Sequence, residues 1–228
     1  MQNSYKRIDA HLSSLGYCTR SEAKKFLRIF ELTVNDKRVF DTSIKAYHND
    51  IKVNNEVLDP EIITILLNKP SGFICSHNDA GSLIYALIPS RWNRRNPKIS
   101  TIGRLDVDTT GAIILTDDGA LNHKLSSPKS DVSKVYEATL AVPLNGDEKE
   151  IFASGEVMLN GEKKPLLPAK LEILSPTHVR LEICEGKYHQ VKRMFASVGN
   201  RVLSLHRVSF GGFSVEDLKE GEYKFIEL

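Results

Sequence analysis

The sequence predicts an α+β protein in two parts. The first is a small N-terminal domain of short helices and hairpins; the second is a larger domain with a mostly antiparallel mixed sheet flanked by helices. Three observations carry this. Strand-like segments outnumber helical ones, they do not alternate with helices in the regular way of a parallel-sheet protein, and the chain changes character near Leu58. There "DPE" breaks a run of hairpins and a continuous apolar stretch, "IITILLNKPSGFICS", begins. The domains are placed at 1–58 and 63–228, with 59–62 as a linker.

The N-terminal elements follow from spacing. In "RIDAHLSSLG", Ile8, Leu12 and Leu15 recur at helical intervals and Gly16 is placed to stop the turn. In "TRSEAKKFLRIF", Thr19 and Glu22 have capping-box spacing, and Ala23, Phe26, Leu27 and Phe30 make an apolar stripe. Arg20, Lys24 and Arg28, four apart, fall on another face of that helix. "LTVNDKRVF" and "DIKVNNEVL" then alternate as strands do, with "ND" and "NN" as hairpin turns.

Residues 5–58 resemble the S4 domain, a small RNA-binding module. The likeness rests on Arg7, Ile8 and Asp9, on Thr19 to Ala23, and on Leu32 to Asp36; Phe30 and Asp36 stand where the family pattern has Gly. It implies that the basic face of Arg20, Lys24 and Arg28 docks RNA.

In the larger domain, "AIILT", "VYEATLAV", "KLEILS" and "HVRLEICEG" read as strands. "YHQVKRMFASVG" reads as a helix that buries Val191, Met194, Phe195 and Val198 and ends at Gly199.

Composition sets limits. A chain of 228 residues with 41% hydrophobic content can bury a real core. The net charge of +2 does not by itself demand a polyanionic partner. Its distribution says more: residues 1–130 carry 18 basic and 14 acidic side chains, residues 131–228 carry 13 and 15. The three cysteines are scattered without metal-ligand spacing, and no apolar run is long enough for a signal peptide or a membrane span. A cytoplasmic protein with no membrane partner is expected.

The stretch "GRLDVDTTG", residues 103–111, is open to three readings. From Asp106, the oxygen ligands Asp108 and Thr110, Gly111 and the final Asp117 come near an EF-hand loop. Against that, the last ligand is Asp rather than Glu, and the following "AIILT" reads as strand rather than helix. The aspartates could also merely close a turn, or one could do chemistry.

Four ordered segments bear on the choice: "LNKPSGFICS", "GRLDVDTTGAIILTDDGALNHKLSSPK", "KVYEATL" and "EGKYHQVKRMFASVGNRVLSLHR". Together they resemble the RsuA family of pseudouridine synthases, and with the S4 likeness they cover nearly the whole chain. "YHQVKRM", with Lys after Val, resembles the branch acting on small-subunit (16S) ribosomal RNA. The resemblance implies that Asp106 is the catalytic carboxylate and Asp108 a loop residue. It implies too that Lys192 is the cation beside Asp106, that Tyr136 stacks on the extruded uracil, and that Leu205 forms the other wall of the base pocket.

The chemistry fits those residue types. Pseudouridine formation breaks the ribose C1′–uracil N1 bond, turns the base over and rejoins it through C5, so no cofactor is expected and no metal. A placed carboxylate can take the C2′ proton or attack sugar or base, and the residues leave both open. Extruding the base costs a few kcal/mol, which phosphate and stacking contacts must supply. Arg104 beside Asp106, Arg193 on the helix, and Arg207 after Leu205 are candidate RNA contacts, as are His189 and His206. "SRWNRRNPK" offers Arg91, Arg94, Arg95 and Lys98 around Trp92, a mix suited to single-stranded RNA and equally to a solvated loop.

The expected activity is cofactor-free isomerisation of one uridine in 16S ribosomal RNA, by a monomer acting on that RNA or on an assembling small-subunit particle. A noncatalytic ribosome-associated RNA-binding protein, and a synthase acting on 23S ribosomal RNA, remain as alternatives.

Overall fold

The computed structural model describes residues 3–127 and 130–227. Pro128 and Lys129, which end one of the segments carrying the family resemblance, lie outside the described residues. The chain forms two compact units. One comprises Met1–Thr64, Ile88–Ser100 and Thr116–Gly119; the other comprises Ile65–Leu87, Thr101–Leu115 and Ala120–Leu228.

In the first unit, β1 (Tyr5–Arg7) leads directly into α1 (Ile8–Ser14). A 3-10 turn, Arg20–Glu22, opens α2 (Ala23–Phe26). Then come β2 (Leu32–Val34), β3 (Lys37–Arg38), β4 (Lys45–Tyr47), β5 (Ile51–Val53) and β6 (Glu56–Val57). β1 pairs with β4, and β3-β2-β5-β6 form a second small sheet. Ile8, Leu12 and Leu15 of the first predicted helix pack with Phe26, Leu32 and Ile51 in one core.

The predicted capping box is present, with the Thr19 amide donating to Glu22 Oε2 at 3.0 Å. The helix it starts is shorter than the apolar stripe implied, and Phe30 lies beyond it, stacked on Phe26 at 4.5 Å. Both hairpin turns have the left-handed backbone that two-residue loops demand: φ is 50° and 60° at Asn35 and Asp36, and 51° and 66° at Asn54 and Asn55. Short polar side chains tolerate that conformation without glycine.

Residues 88–100 belong to this unit although the sequence boundary assigned them to the second domain. Their arginines pair within it: Arg91 donates twice to Asp59 at 2.8–2.9 Å, and Arg95 Nε donates to Asp117 Oδ2 at 2.7 Å.

The second unit is built on one nine-stranded sheet. Its strands are β7 (Thr64–Lys69), β8 (Ser100–Ile102), β9 (Thr110–Thr116), β10 (Lys134–Leu140), β11 (Lys170–Ser175), β12 (His178–Ile183), β13 (Val202–Phe210), β14 (Phe213–Ser214) and β15 (Tyr223–Phe225). The main path runs β11-β12-β10-β13-β9-β7-β15. β10 pairs antiparallel with both β12 and β13, while β9 and β13 are parallel, so the sheet is mixed and mostly antiparallel. The apolar run in β7 is buried as predicted, with Ile65, Leu66 and Leu67 wholly covered.

At the parallel pair, Gly111 faces Arg207 across the ladder. A Cβ there would stand 2.2 Å from the Arg207 carbonyl oxygen, at a φ of +104°, so only glycine lets the two strands meet. The helices are α3 (Gly119–Ser126), α4 (Glu148–Ala153) and α5 (Gln190–Ser197). Leu121 and Leu125 of α3 pack on the cluster of Leu66, Ile102, Ala112, Ile114 and Phe210. α5 buries Val191, Met194 and Phe195 and stops before Gly199, at φ 77°, while Val198 caps it half-buried. No described helix is long and apolar enough to cross a membrane.

Candidate active site

The "GRLDVDTTG" stretch is the loop between β8 and β9. A buried lysine braces it from below: Lys69, at the end of β7, donates to the carbonyls of Pro70 at 3.1 Å, Val107 at 3.2 Å and Thr109 at 2.8 Å. Burial pulls its pKa down, and Cys75, Asp108 and Asp106 act against that. A fully covered ammonium on carbonyl oxygens is costly to remove, and here it fixes the backbone on both sides of Asp108. The local sequence signal for this brace is a lysine inside an otherwise apolar run.

Above this floor the loop carboxylates meet α5. Lys192 Nζ lies 3.2 Å from Asp106 Oδ2 and donates to Asp108 Oδ1 and Oδ2 at 2.7 and 2.9 Å. His189 Nε2 is 3.3 Å from Asp106 Oδ1. His189 reaches it because it caps α5 in the left-handed region, at φ 46°, with its ring stacked on Tyr188. Burial opposes the charge on Lys192, but the hydrogen bonds to Asp108 and Asp106 outweigh it and the net pKa is raised. The hydrogen bond from Lys192 holds the Asp108 carboxyl below the usual carboxylate range. Asp106 and Lys192 are each about one-quarter exposed, with side-chain values of 27% and 26%, so the pair is open to a ligand while Asp108, at 71%, is on the rim.

Beside the pair is a cleft of about 540 Å³ lined by Asp106, Tyr136, His189, Leu205 and Arg207, among others. Tyr136 on β10 is opposite Arg207 on β13 in the ladder, and Arg207 Nη1 approaches the Tyr136 hydroxyl at 3.4 Å. Leu205, two residues earlier on β13, joins the same wall. Arg104 is exposed at the cleft mouth. The structure therefore gathers Asp106, Tyr136 and Leu205 around one cavity, with Arg104 and Arg207, and sets Lys192 against Asp106 at its edge.

The EF-hand alternative fails on geometry. The segment after the loop is strand β9, Asp108 is held by Lys192, and Asp117 is taken by Arg95 and by the Ile63 amide at 2.7 Å.

Several predicted RNA contacts are placed differently from the sequence reading. Arg95 is buried, 2% exposed, and is committed to Asp117 and to the carbonyls of Pro60 and Glu61, so it is a core residue and cannot meet a ligand. Trp92 is likewise buried, with its indole N–H donating to Asp59 at 3.0 Å, and offers no stacking face. Arg91 is tied to Asp59 and lies over the Tyr17 ring. Arg207 is also buried, donating to the Ala112 carbonyl at 2.6 Å, and so belongs to the cleft floor rather than an outer surface. Arg193 turns away from Asp106 to Glu162 and to the carbonyls of Tyr188 and Asn160. Arg20, Lys24, Arg28, Arg94 and Lys98 are exposed on the first unit, Arg20 within 3.3 Å of Asp9.

A mixed sheet carrying a carboxylate–lysine pair at the lip of a deep cleft points to an enzyme, and comparison with known proteins names its class. The family model for RNA pseudouridylate synthase matches residues 63–197. "Ribosomal small subunit pseudouridine synthase A" of Escherichia coli (strain K12) is 47% identical over 225 residues, covering 96% of this chain and 95% of the relative. The protein of that name from Haemophilus influenzae is 41% identical over 223 residues, covering 96% and 94%. A crystal structure of a pseudouridylate synthase, 41% identical, superposes with a TM-score of 0.68 over 97% of this chain and 96% of the other. The chain belongs to the RNA pseudouridylate synthase family, in its RsuA branch.

Proposed function

We propose that the protein converts one uridine of small-subunit (16S) ribosomal RNA to pseudouridine, with Asp106 as the acting carboxylate. The observation that carries the reading is the 3.2 Å approach of Lys192 to Asp106 at the edge of a cleft lined by Tyr136 and Leu205. The names of the two relatives reported above, both small-subunit enzymes, supply the substrate class.

In this account Lys192 supplies the charge that lets a carboxylate stand partly withdrawn from water, next to the ribose of an extruded nucleotide. The Tyr136 ring and Leu205 sandwich the uracil, Arg207 holds Tyr136 in place, and Lys69 keeps the loop from shifting. The N1–C1′ bond breaks, the C5–C1′ bond forms, and the proton leaving C5 is balanced by one gained at N1. The product is an isomer, so the reaction needs no oxidant, reductant or donor group. Arg104 at the cleft mouth contacts the flanking RNA backbone.

The N-terminal residues 1–58 act as an S4-type docking module, with Arg20, Lys24 and Arg28 facing phosphate. The enzyme works as a cytoplasmic monomer on free RNA or on an assembling small-subunit particle. The test is incubation with small-subunit and large-subunit transcripts followed by carbodiimide mapping of pseudouridine. A single modified site in the small-subunit transcript is expected; modification of the large-subunit transcript alone, or binding without product, would refute the reading.

A further inference from the structure

The first unit contains a second cluster of chemistry-bearing side chains, unrelated to the cleft. His11 on α1 is fully buried, and its Nε2 is 3.1 Å from the Ala46 carbonyl oxygen, so that nitrogen carries the proton. Its Nδ1 is buried with no hydrogen-bond partner among the described residues. His48, in the 3-10 turn His48–Asp50, is 5% exposed. Its Nδ1 is also buried with no hydrogen-bond partner among the described residues. The third member is the carboxylate of Glu61, whose side chain is 7% exposed. One ligand atom from each of the three lies within 4.8 Å of the others.

One ring nitrogen from each histidine and a carboxylate oxygen converge in this buried space, an electron-rich arrangement that a cation would stabilise. Lys6 answers the carboxylate from one side, 3.3 Å from Oε1, but does not reach either histidine nitrogen. Two outer contacts resemble those around metal ligands: the His11 ring donates its Nε2–H to the Ala46 carbonyl, and Glu61 accepts from the Ser4 amide at Oε2, 2.9 Å away, and from the Ser4 hydroxyl at Oε1.

We propose that His11 Nδ1, His48 Nδ1 and Glu61 bind a structural divalent zinc ion, with a fourth position for water or the Ser4 hydroxyl. Two imidazoles and one carboxylate are a zinc donor set. Zn–N distances of about 2.0 Å place tetrahedral ligands about 3.3 Å apart, so side-chain shifts of roughly an ångström close the site. Lys6, about one-third exposed, swings to solvent as the ion takes over its role. The ion would pin α1, the 48–50 turn and the exit from β6 together in a unit whose own core is small, which is where a metal adds most to stability.

The test uses the full-length protein, stripped with chelator and titrated with cobalt(II) and then zinc. One equivalent of cobalt is expected to give the visible bands of a four-coordinate nitrogen–oxygen site, which zinc displaces while raising Tm. His48→Gln is expected to weaken binding by about 100-fold or more, ligand loss costing at least what loss of an outer contact does. Lys6→Met is expected to tighten it by removing the competing cation. Cobalt giving only its hydrated spectrum with wild-type protein, together with no zinc effect on Tm, overturns the proposal. So does one zinc retained with unchanged affinity in a folded His48→Gln or Glu61→Gln variant. If His48→Gln does not fold, the wild-type cobalt spectrum and the Lys6→Met affinity decide alone.

Discussion

The Lys192 ammonium spans both carboxylates of the β8–β9 loop, 3.2 Å from Asp106 Oδ2 and 2.7 Å from Asp108 Oδ1. One cation thereby fixes the loop against α5 and compensates the charge at the cleft. Lys192→Met should lower kcat/KM by about 100-fold or more, as expected when a positioned charge is lost from a reacting centre. Lys192→Arg keeps the charge but not the compact donor geometry, and should fall between. Single-turnover assays on one transcript check both; equal activity of Lys192→Met and wild type would contradict the role.

Asp108 offers a separable test of loop bracing. Its folded pKa is depressed by Lys192, so it stabilises the fold above its unfolded value near 3.8, and that contribution disappears as pH falls through the lower native pKa. Because the side chain is mostly exposed, the effect is small, about 0.5 kcal/mol at neutral pH. Denaturant melts of wild type and Asp108→Asn should differ slightly at pH 7 and converge in acid, while Asp108→Asn keeps forming product.

Gly111 tests the strand contact beneath the site. Gly111→Ala forces a Cβ to within 2.2 Å of the Arg207 carbonyl at a left-handed φ, so β9 and β13 must separate. A loss of about 3 kcal/mol or more is expected from clash and backbone strain together, seen as a Tm drop together with lost activity.

Arg95 and Asp117 form a pair with 1% and 4% side-chain exposure, and both have further buried partners. Asp117→Ala leaves the guanidinium uncompensated and should cost about 3–5 kcal/mol of stability. Arg94→Ala, at an exposed neighbour, should leave stability within about 0.5 kcal/mol and reduce RNA affinity in a salt-dependent way. Filter binding and thermal melts on both variants separate the two arginines.

The contrast between those arginines marks where sequence reading stops. Hairpin turns at Asn35–Asp36 and Asn54–Asn55, the buried run of β7 and the stripe of α5 were legible because local backbone preference and periodicity determine them. Arg95 and Trp92 looked like an RNA surface because their partners, Asp117 and Asp59, are 22 and 33 residues away and invisible to local pattern. β13 escapes the strand pattern, since "VLSLHRVSF" breaks alternation with a buried arginine that has its own carbonyl partner in Ala112. α3 buries no residue fully and so shows no strong stripe. Asp106, Tyr136, Lys192 and Leu205 came from family likeness rather than spacing. The contact of His189 with Asp106 depends on a left-handed cap, and the approach of His11, His48 and Glu61 depends on tertiary folding, so neither has a local signature.

The most direct test of the central claim is pseudouridine yield from a small-subunit transcript with Asp106→Asn, alongside its affinity for the same RNA. The account predicts unchanged binding and a yield reduced by at least about three orders of magnitude, the scale expected when the acting group of a catalytic unit is removed. Conversion at the wild-type rate by the purified variant would contradict it.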